Sequence, residues 1–246
     1  MPAELTGGTV AERAAGGGTL GRVSEPASRA CVVVPTFDGR ELLLEARASL
    51  AAQTVRCPVV VVDNGSSDGT AALVAERFPE VELVRSERNL GFGRAVNLGA
   101  RAAPAGTEAL VLVNNDCVCE PRFVERICAP LARPGIGMVA GVLLQAAAPG
   151  LIDSAGIELD RTLRSYDYLW NRPVSVLDRA AGPVGPCGGA AAYRLDAFRA
   201  AGGFDEAFFA FWEDVDLALR LRLAGWGCAL APDARALHRH GRTVTV

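Results

Sequence analysis

Glu108-Ala-Leu-Val-Leu-Val-Asn-Asn-Asp116 is an apolar run that stops abruptly on three polar residues. A buried strand that surfaces into a carboxylate presents that group at the carboxyl rim of a parallel sheet, where α/β proteins gather their ligands. The same construction occurs twice earlier. Ala30-Cys-Val-Val-Val-Pro35 breaks into Thr36-Phe-Asp-Gly39, and Pro58-Val-Val-Val-Val62 breaks into Asp63-Asn-Gly-Ser-Ser-Asp-Gly69. Each polar loop precedes a helix-like segment. The repetition of strand, loop and helix predicts an α/β fold with a Rossmann-like, mostly parallel sheet flanked by helices. The three loops are expected to share one pocket, with the carboxylates of Asp63 and Asp116 converging there.

Composition narrows what that pocket can do. The chain has 246 residues, 50% of them hydrophobic and 22% charged, enough for one large domain with a substantial core. A net charge of −3, without an arginine stripe interleaved with aromatics, argues against nucleic acid as a partner. All 25 basic residues are arginine, so Schiff-base chemistry, a P-loop lysine and a lysine general base are excluded. The seven cysteines are odd in number and several lie in strand-like runs, as small buried residues of a reducing compartment do. Cys117-Val-Cys119 lacks the spacing of a zinc knuckle.

The N-terminus lacks the progression of a signal peptide, and the apolar stretch 135–152 is interrupted by Gln145, Pro149 and several glycines. A cytoplasmic chain is expected; peripheral contact with the inner face of the membrane and a homodimer stay open. Residues 1–28 read as a mobile leader and 29–246 as one domain, with a doubly wound half to about 145 and a second half over 146–246. Periodicity predicts helices over 41–53, 70–78, 121–131 and 213–224, and strands over 80–84, 136–144 and 227–231. Segment 149–189 mixes Asp, Gly and Pro with Tyr166, Tyr168 and Trp170, and reads as an irregular, partner-facing insertion.

Three groups of residues carry candidate chemistry. Trp212-Glu-Asp-Val-Asp216 places three carboxylates at a helix start, which reads both as a dipole-matched cap and as a base sheltered by Phe208-Phe-Ala-Phe-Trp212. Glu213 or Asp216 can cap while Asp214 works. Asp63 at a strand end suits a nucleobase N–H or ribose hydroxyl, and Asp116 a metal or phosphate. His238 is either a surface residue near the chain end, like His240, or a partner of Asp116 around a cation. The glycines of 91–99 lack the full dinucleotide pattern, and Arg88 and Arg94 stand nearby for diphosphate charge.

In order, Val34-Pro-Thr-Phe37, Val62-Asp-Asn-Gly-Ser-Ser-Asp-Gly-Thr70, Asn89-Leu-Gly-Phe-Gly93, Asn114-Asn-Asp116, Gly203-Phe-Asp-Glu206 and Glu213-Asp-Val-Asp-Leu217 resemble the family 2 glycosyltransferases of GT-A fold, over roughly 30–240. The resemblance implies an inverting transferase. It would move a sugar from a nucleotide diphosphate sugar to a hydroxyl of a glycan, lipid-linked or small-molecule acceptor, with a divalent cation, Mg2+ or Mn2+. It further implies that Pro35, Thr36, Phe37, Asp38, Asp63, Asn64, Asn89, Arg94, Asn97, Asn114 and Asn115 serve the donor. Gly188, Gly189, Trp212 and Glu213 would face the acceptor, Asp116 and His238 the metal, and Asp214 would be the catalytic base.

Asn114 departs from the family pattern, since an aspartate usually opens the metal motif; an uncharged amide leaves the cation held more by phosphate. The Asn-Asn-Asp form is similar to the rhamnosyltransferase-like branch, which implies dTDP-rhamnose as donor. Two other readings compete. A sugar-1-phosphate nucleotidyltransferase would want a Gly-rich first loop with Arg and Lys, where this chain has Pro35-Thr-Phe-Asp-Gly39. A nucleotide-sugar-binding protein without turnover fits the Asn114 change.

Overall fold

The computed structural model describes residues 26–239. Its first half alternates strands β1 (Ala30–Thr36), β2 (Val59–Asp63), β3 (Glu82–Arg85) and β4 (Ala109–Val113) with helices α1 (Arg40–Ala51), α2 (Thr70–Arg77) and α3 (Phe92–Ala102). Every residue of β1, β2 and β4 is buried, which is why these strands read as continuous apolar runs. β1 pairs in parallel with β2 and β4, and β2 with β3. Alternate valines therefore feed two cores. Val32, Val34 and Val61 pack with Leu43 of α1 on one face. On the other, Val33, Val60 and Val62 pack with Val96 of α3. Helix α3 lies so close that a side chain at Gly99 would place its first carbon 2.4 Å from Val33 Cγ1.

The second half comprises β5 (Cys117–Cys119), α4 (Phe123–Cys128), β6 (Ile136–Gln145), β7 (Ala148–Ser154), β8 (Ile157–Leu159), β9 (Ser165–Asp167), β10 (Ala190–Arg194), α5 (Leu195–Ala200), α6 (Glu213–Leu223) and β11 (Gly227–His238). One sheet runs β3-β2-β1-β4-β10-β6-β11-β5, with β7 added on β6. β10 is antiparallel to both β4 and β6, whereas β6 and β11 are parallel. The sheet is thus parallel through the first four strands and mixed beyond them.

Segment 149–189 is more ordered than its composition predicts: β7 pairs with β6, and β8 with β9 as a separate hairpin. Strand β11 reaches His238 and not 231, because its last residues pair with β5 as well as β6. Both are long-range pairings that local periodicity does not encode. All seven cysteines are free thiols. Among the described residues no helix is long and apolar enough to cross a membrane. The leader proposed for 1–28 and His240 fall almost wholly outside the described residues.

Candidate active site

The carboxyl ends of β1, β2 and β4 open onto a cavity of about 290 Å³. Pro35, Thr36 and Phe37 line it from β1, Asn64 from the end of β2, and Asn114 and Asn115 from the end of β4. Asn89, Gly91 and Phe92 close the side where α3 begins, and Gly188 and Gly189 enter from the approach to β10. Phe209 to Phe211, Glu213 and Asp214 form the remaining wall.

The asparagines of this rim shape it through their amides. Asn64 Nδ2 donates to Asn89 Oδ1 at 2.9 Å and to the Gly91 carbonyl at 3.2 Å, while Asn64 Oδ1 accepts from Leu90 N–H at 3.0 Å. Asn115 Nδ2 donates to Thr36 Oγ1 at 2.9 Å and joins two strand ends. The turn so formed is pinned to the opposite wall, because Phe92 N–H donates to the Phe209 carbonyl at 2.8 Å.

Gly91 has φ +85°, and a β-carbon there would fall 2.2 Å from Phe209 O. Gly91→Ala is expected to cost more than about 1 kcal/mol, through left-handed backbone strain and displacement of that carbonyl. A melting temperature lowered by several degrees, with weaker nucleotide binding, is the outcome to look for. An unchanged melting temperature counts against the contact.

Asp214 faces the cavity from the first turn of α6. Its Oδ2 accepts from Gly188 N–H at 3.2 Å and its Oδ1 from Val215 N–H at 2.8 Å. Burial raises its pKa above the usual carboxylate range, against the pull of those two donors. Asp216 is turned aside in an ion pair with Arg220 at 2.5 Å.

Glu213 is buried, its Oε2 has no hydrogen-bond partner among the described residues, and burial followed by the Asp214 charge lifts its pKa to about 7. Between the usual 4.5 and about 7 the folded chain keeps a proton that the unfolded chain releases, so stability falls as pH rises through that window. The displacement corresponds to about 3 kcal/mol, fully expressed above pH 7. Glu213→Gln is therefore expected to melt several degrees above the parent at pH 8, with the difference vanishing near pH 4. A difference independent of pH in thermal melts would show that packing, and not charge burial, sets it.

Asp116, expected in the shared pocket, does not line it: it lies beyond the asparagines and meets His238, whose Nε2 is 3.4 Å from Asp116 Oδ1. The register of β11 against β5, with His238 opposite Cys117, brings them together. His238 Nδ1 is 2.6 Å from Asp153 Oδ2. Burial alone lowers the pKa of His238, but hydrogen bonds to Asp116 and Asp153 outweigh it and carry it to about 9. Carboxylates thus stand at both ring nitrogens; Asp153 orients the ring at Nδ1, and Nε2 would serve a cation together with Asp116 only on giving up its proton. Cys117 is the third donor of this cluster. Its thiol is held protonated by burial and by the Asp116 charge, and sulfur suits Mg2+ or Mn2+ poorly. Oxygen and nitrogen from Asp116 and His238 therefore fit a hard divalent cation; Cys117 does not.

Several expected site residues are placed elsewhere. Asp63 is fully buried and does not line the cavity; its Oδ1 accepts from Ser66 N–H at 3.0 Å and its Oδ2 pairs with Arg85 at 3.3 Å. Asp38 Oδ1 accepts from Ser67 N–H at 2.7 Å, bracing one rim loop against the next. Asn97 gives both ends of its amide to the backbone of Phe204, at 2.8 and 3.0 Å, and Arg94 pairs with Glu206 at 3.2 Å. Both belong to the packing of α3 on the 203–206 turn, because the aromatic Phe204 is buried there and draws the turn in. Trp212 borders an adjoining cavity that shares Glu213 and Asp214 with the first. Asp153 had no local signal: it lies in β7, inside the segment whose composition reads as irregular.

A parallel half-sheet with its loops gathered on a nucleotide-sized cleft, joined to a mixed half that supplies a buried acidic helix start, defines a GT-A transferase architecture. The profile of glycosyl transferase family 2 matches residues 31–200, and the chain belongs to that family of glycosyltransferases. It is 32% identical over 230 residues to the N-acetylglucosaminyl-diphospho-decaprenol L-rhamnosyltransferase of Mycobacterium tuberculosis, covering 84% of this chain and 75% of that protein. It is 27% identical over 218 residues to the O-antigen biosynthesis protein RfbC of Myxococcus xanthus, covering 84% of this chain and 17% of that one. Among solved structures, a mannosyltransferase from Pyrobaculum calidifontis in complex with GDP-Man and Mn2+ superposes with a TM-score of 0.64 at 22% identity. S. aureus TarS 1–349 in complex with UDP superposes with a TM-score of 0.63 at 19% identity. This chain is covered to 87% and 86% in the two superpositions and spans 57% and 60% of those chains.

Proposed function

We propose that the protein transfers a sugar, L-rhamnose by its similarity to the mycobacterial relative, from a nucleoside diphosphate donor to a hydroxyl of a lipid-linked saccharide, with inversion. The observation that carries this reading is Asp214. It is a half-buried carboxylate of raised basicity, anchored by Gly188 N–H at 3.2 Å, on the wall of the cavity into which the strand-end loops open.

Asp214 accepts the proton of the acceptor hydroxyl as that oxygen bonds to the anomeric carbon and the bond from that carbon to the diphosphate oxygen breaks. One displacement from the face opposite the leaving group inverts the configuration. The donor lies against Pro35 to Phe37 and the Asn64–Asn89 turn, and the acceptor against Gly188, Gly189 and Glu213. Asp116 and His238 would hold a divalent cation, with Asp153 orienting the ring. When bound, Mg2+ or Mn2+ neutralises charge on the diphosphate. In this reading residues 29–145 serve the donor and 146–246 the acceptor, at the membrane face where a polyprenol-linked acceptor is found.

The test is a thermal-shift panel of UDP-, GDP- and dTDP-sugars with and without Mn2+, followed by transfer assays with the sugar that stabilises most. Stabilisation by dTDP-rhamnose that needs the cation is expected. Equal indifference to all three nucleotides would sink the proposal.

A further inference from the structure

Asp214 and Glu213 are shared between the donor cavity and a second cavity of about 250 Å³, whose far wall is strand β9. β9 is in turn the near wall of a third cavity of about 690 Å³ that ends at Trp170 and Arg172. The three spaces thus share lining residues in series, Glu213 and Asp214 between the first two and Ser165, Tyr166 and Asp167 between the last two.

Aromatic faces and carboxylates alternate along this track. Trp212 is 48% exposed, Tyr166 48% and Trp170 60%. Asp167 lies near enough to Asp214 for their charges to interact, and Glu158 sits opposite Tyr166 in the hairpin. The Tyr166 ring is held in place, since its hydroxyl donates to Asp160 Oδ2 at 3.3 Å. Asp160 Oδ1 also accepts from Thr162 N–H at 2.7 Å and Arg164 N–H at 3.0 Å, which fixes the turn. Non-glycine residues with left-handed backbone flank the track on both sides: Leu169 at φ 60° and Asn171 at φ 58°, then Phe211 at φ 66° and Trp212 at φ 72°. Such strain persists where a surface is held in a set shape.

Hydrocarbon laid over this track would strip water from Glu158, Asp167 and Arg172 and offer them no hydrogen bond. A pyranose satisfies both kinds of group: its C–H face stacks on an aromatic ring and its hydroxyls donate to carboxylates. We propose that the track from Glu213 over Tyr166 to Trp170 is an acceptor subsite for a saccharide of at least two rings. The ring bearing the attacking hydroxyl lies between Glu213, Trp212 and Asp167, and the next ring lies on Tyr166 and Trp170. This assignment rests on the transferase reading of Asp214.

The test is equilibrium binding to the full chain, followed calorimetrically, of methyl glycosides of hexose and N-acetylhexosamine as mono- and disaccharides. The best disaccharide is expected to bind about tenfold more tightly than its monosaccharide. Trp170→Ala and Tyr166→Ala are expected to remove that gain, and Trp170→Ala, at a residue that does not line the second cavity, is expected to leave monosaccharide affinity, nucleoside diphosphate affinity and melting temperature unchanged. Equal affinity for one and two rings, or a gain that survives both substitutions, overturns the proposal. So does loss of binding to phosphatidylglycerol vesicles in the same variants with saccharide affinity intact, since the aromatics would then serve a lipid surface. No donor is present in these titrations, so absence of turnover counts against the proposed transfer and not against this result.

Discussion

Asp214→Asn is expected to lower the rate of transfer by about 10²–10⁴ while donor affinity stays within about twofold of the parent. The amide keeps the shape of the carboxylate and its oxygen can still accept from Gly188 N–H, at the loss of the second bond, from Val215 N–H. What it cannot do is take a proton. Loss of a half-buried negative charge also relieves the repulsion felt by Glu213, so the variant is expected to be no less stable than the parent. The measurement is single-turnover transfer alongside calorimetric titration of the nucleoside diphosphate. A matching loss in both would make Asp214 a structural residue and remove the base from the scheme.

Asp116→Ala is the second large effect. Removing this carboxylate takes away the oxygen that lies 3.4 Å from His238 Nε2, and Asn114 two residues before it supplies no charge in compensation. Cation-supported binding of the nucleoside diphosphate is expected to weaken by more than about 100-fold, beyond the 10–100-fold typical of losing an outer-shell partner. Asp153→Asn tests that outer shell. It leaves both proposed ligands in place but turns a carboxylate partner of Nδ1 into an amide, and should fall in the 10–100-fold range. Titrating Mn2+ at fixed nucleotide separates the two variants from the parent. If nucleotide affinity in Asp116→Ala stays cation-dependent with the parent's Mn2+ midpoint, the metal lies elsewhere.

The parts of the fold that sequence makes legible are those whose cause is local. β1, β2 and β4 are buried on both faces, so their valines and leucines run unbroken and the change to Thr36, Asp63 and Asn114 marks each end. The helices start and stop within about two residues of the periodic pattern, except α4, where the predicted 121–131 divides into an α-helix to Cys128 and a 3-10 turn over Ala129–Ala132. What stays hidden is set by distant partners. Strand β7 exists because β6 offers an edge, and Asp153 matters because that strand returns opposite the end of β11. Asn97 and Arg94 show the converse. They sit in a glycine-rich motif that resembles a phosphate loop, yet buried Phe204 and the Glu206 carboxylate draw them into packing.

The hydrogen bond from Gly188 to Asp214 ties the sheet to α6. Gly188 leads into β10, the strand wedged between β4 and β6, while Asp214 stands in the first turn of α6, whose Leu217, Ala218 and Leu221 are buried in the core. In the proposed transfer the base is thereby held by the same sheet whose strand ends carry the loops lining the cavity.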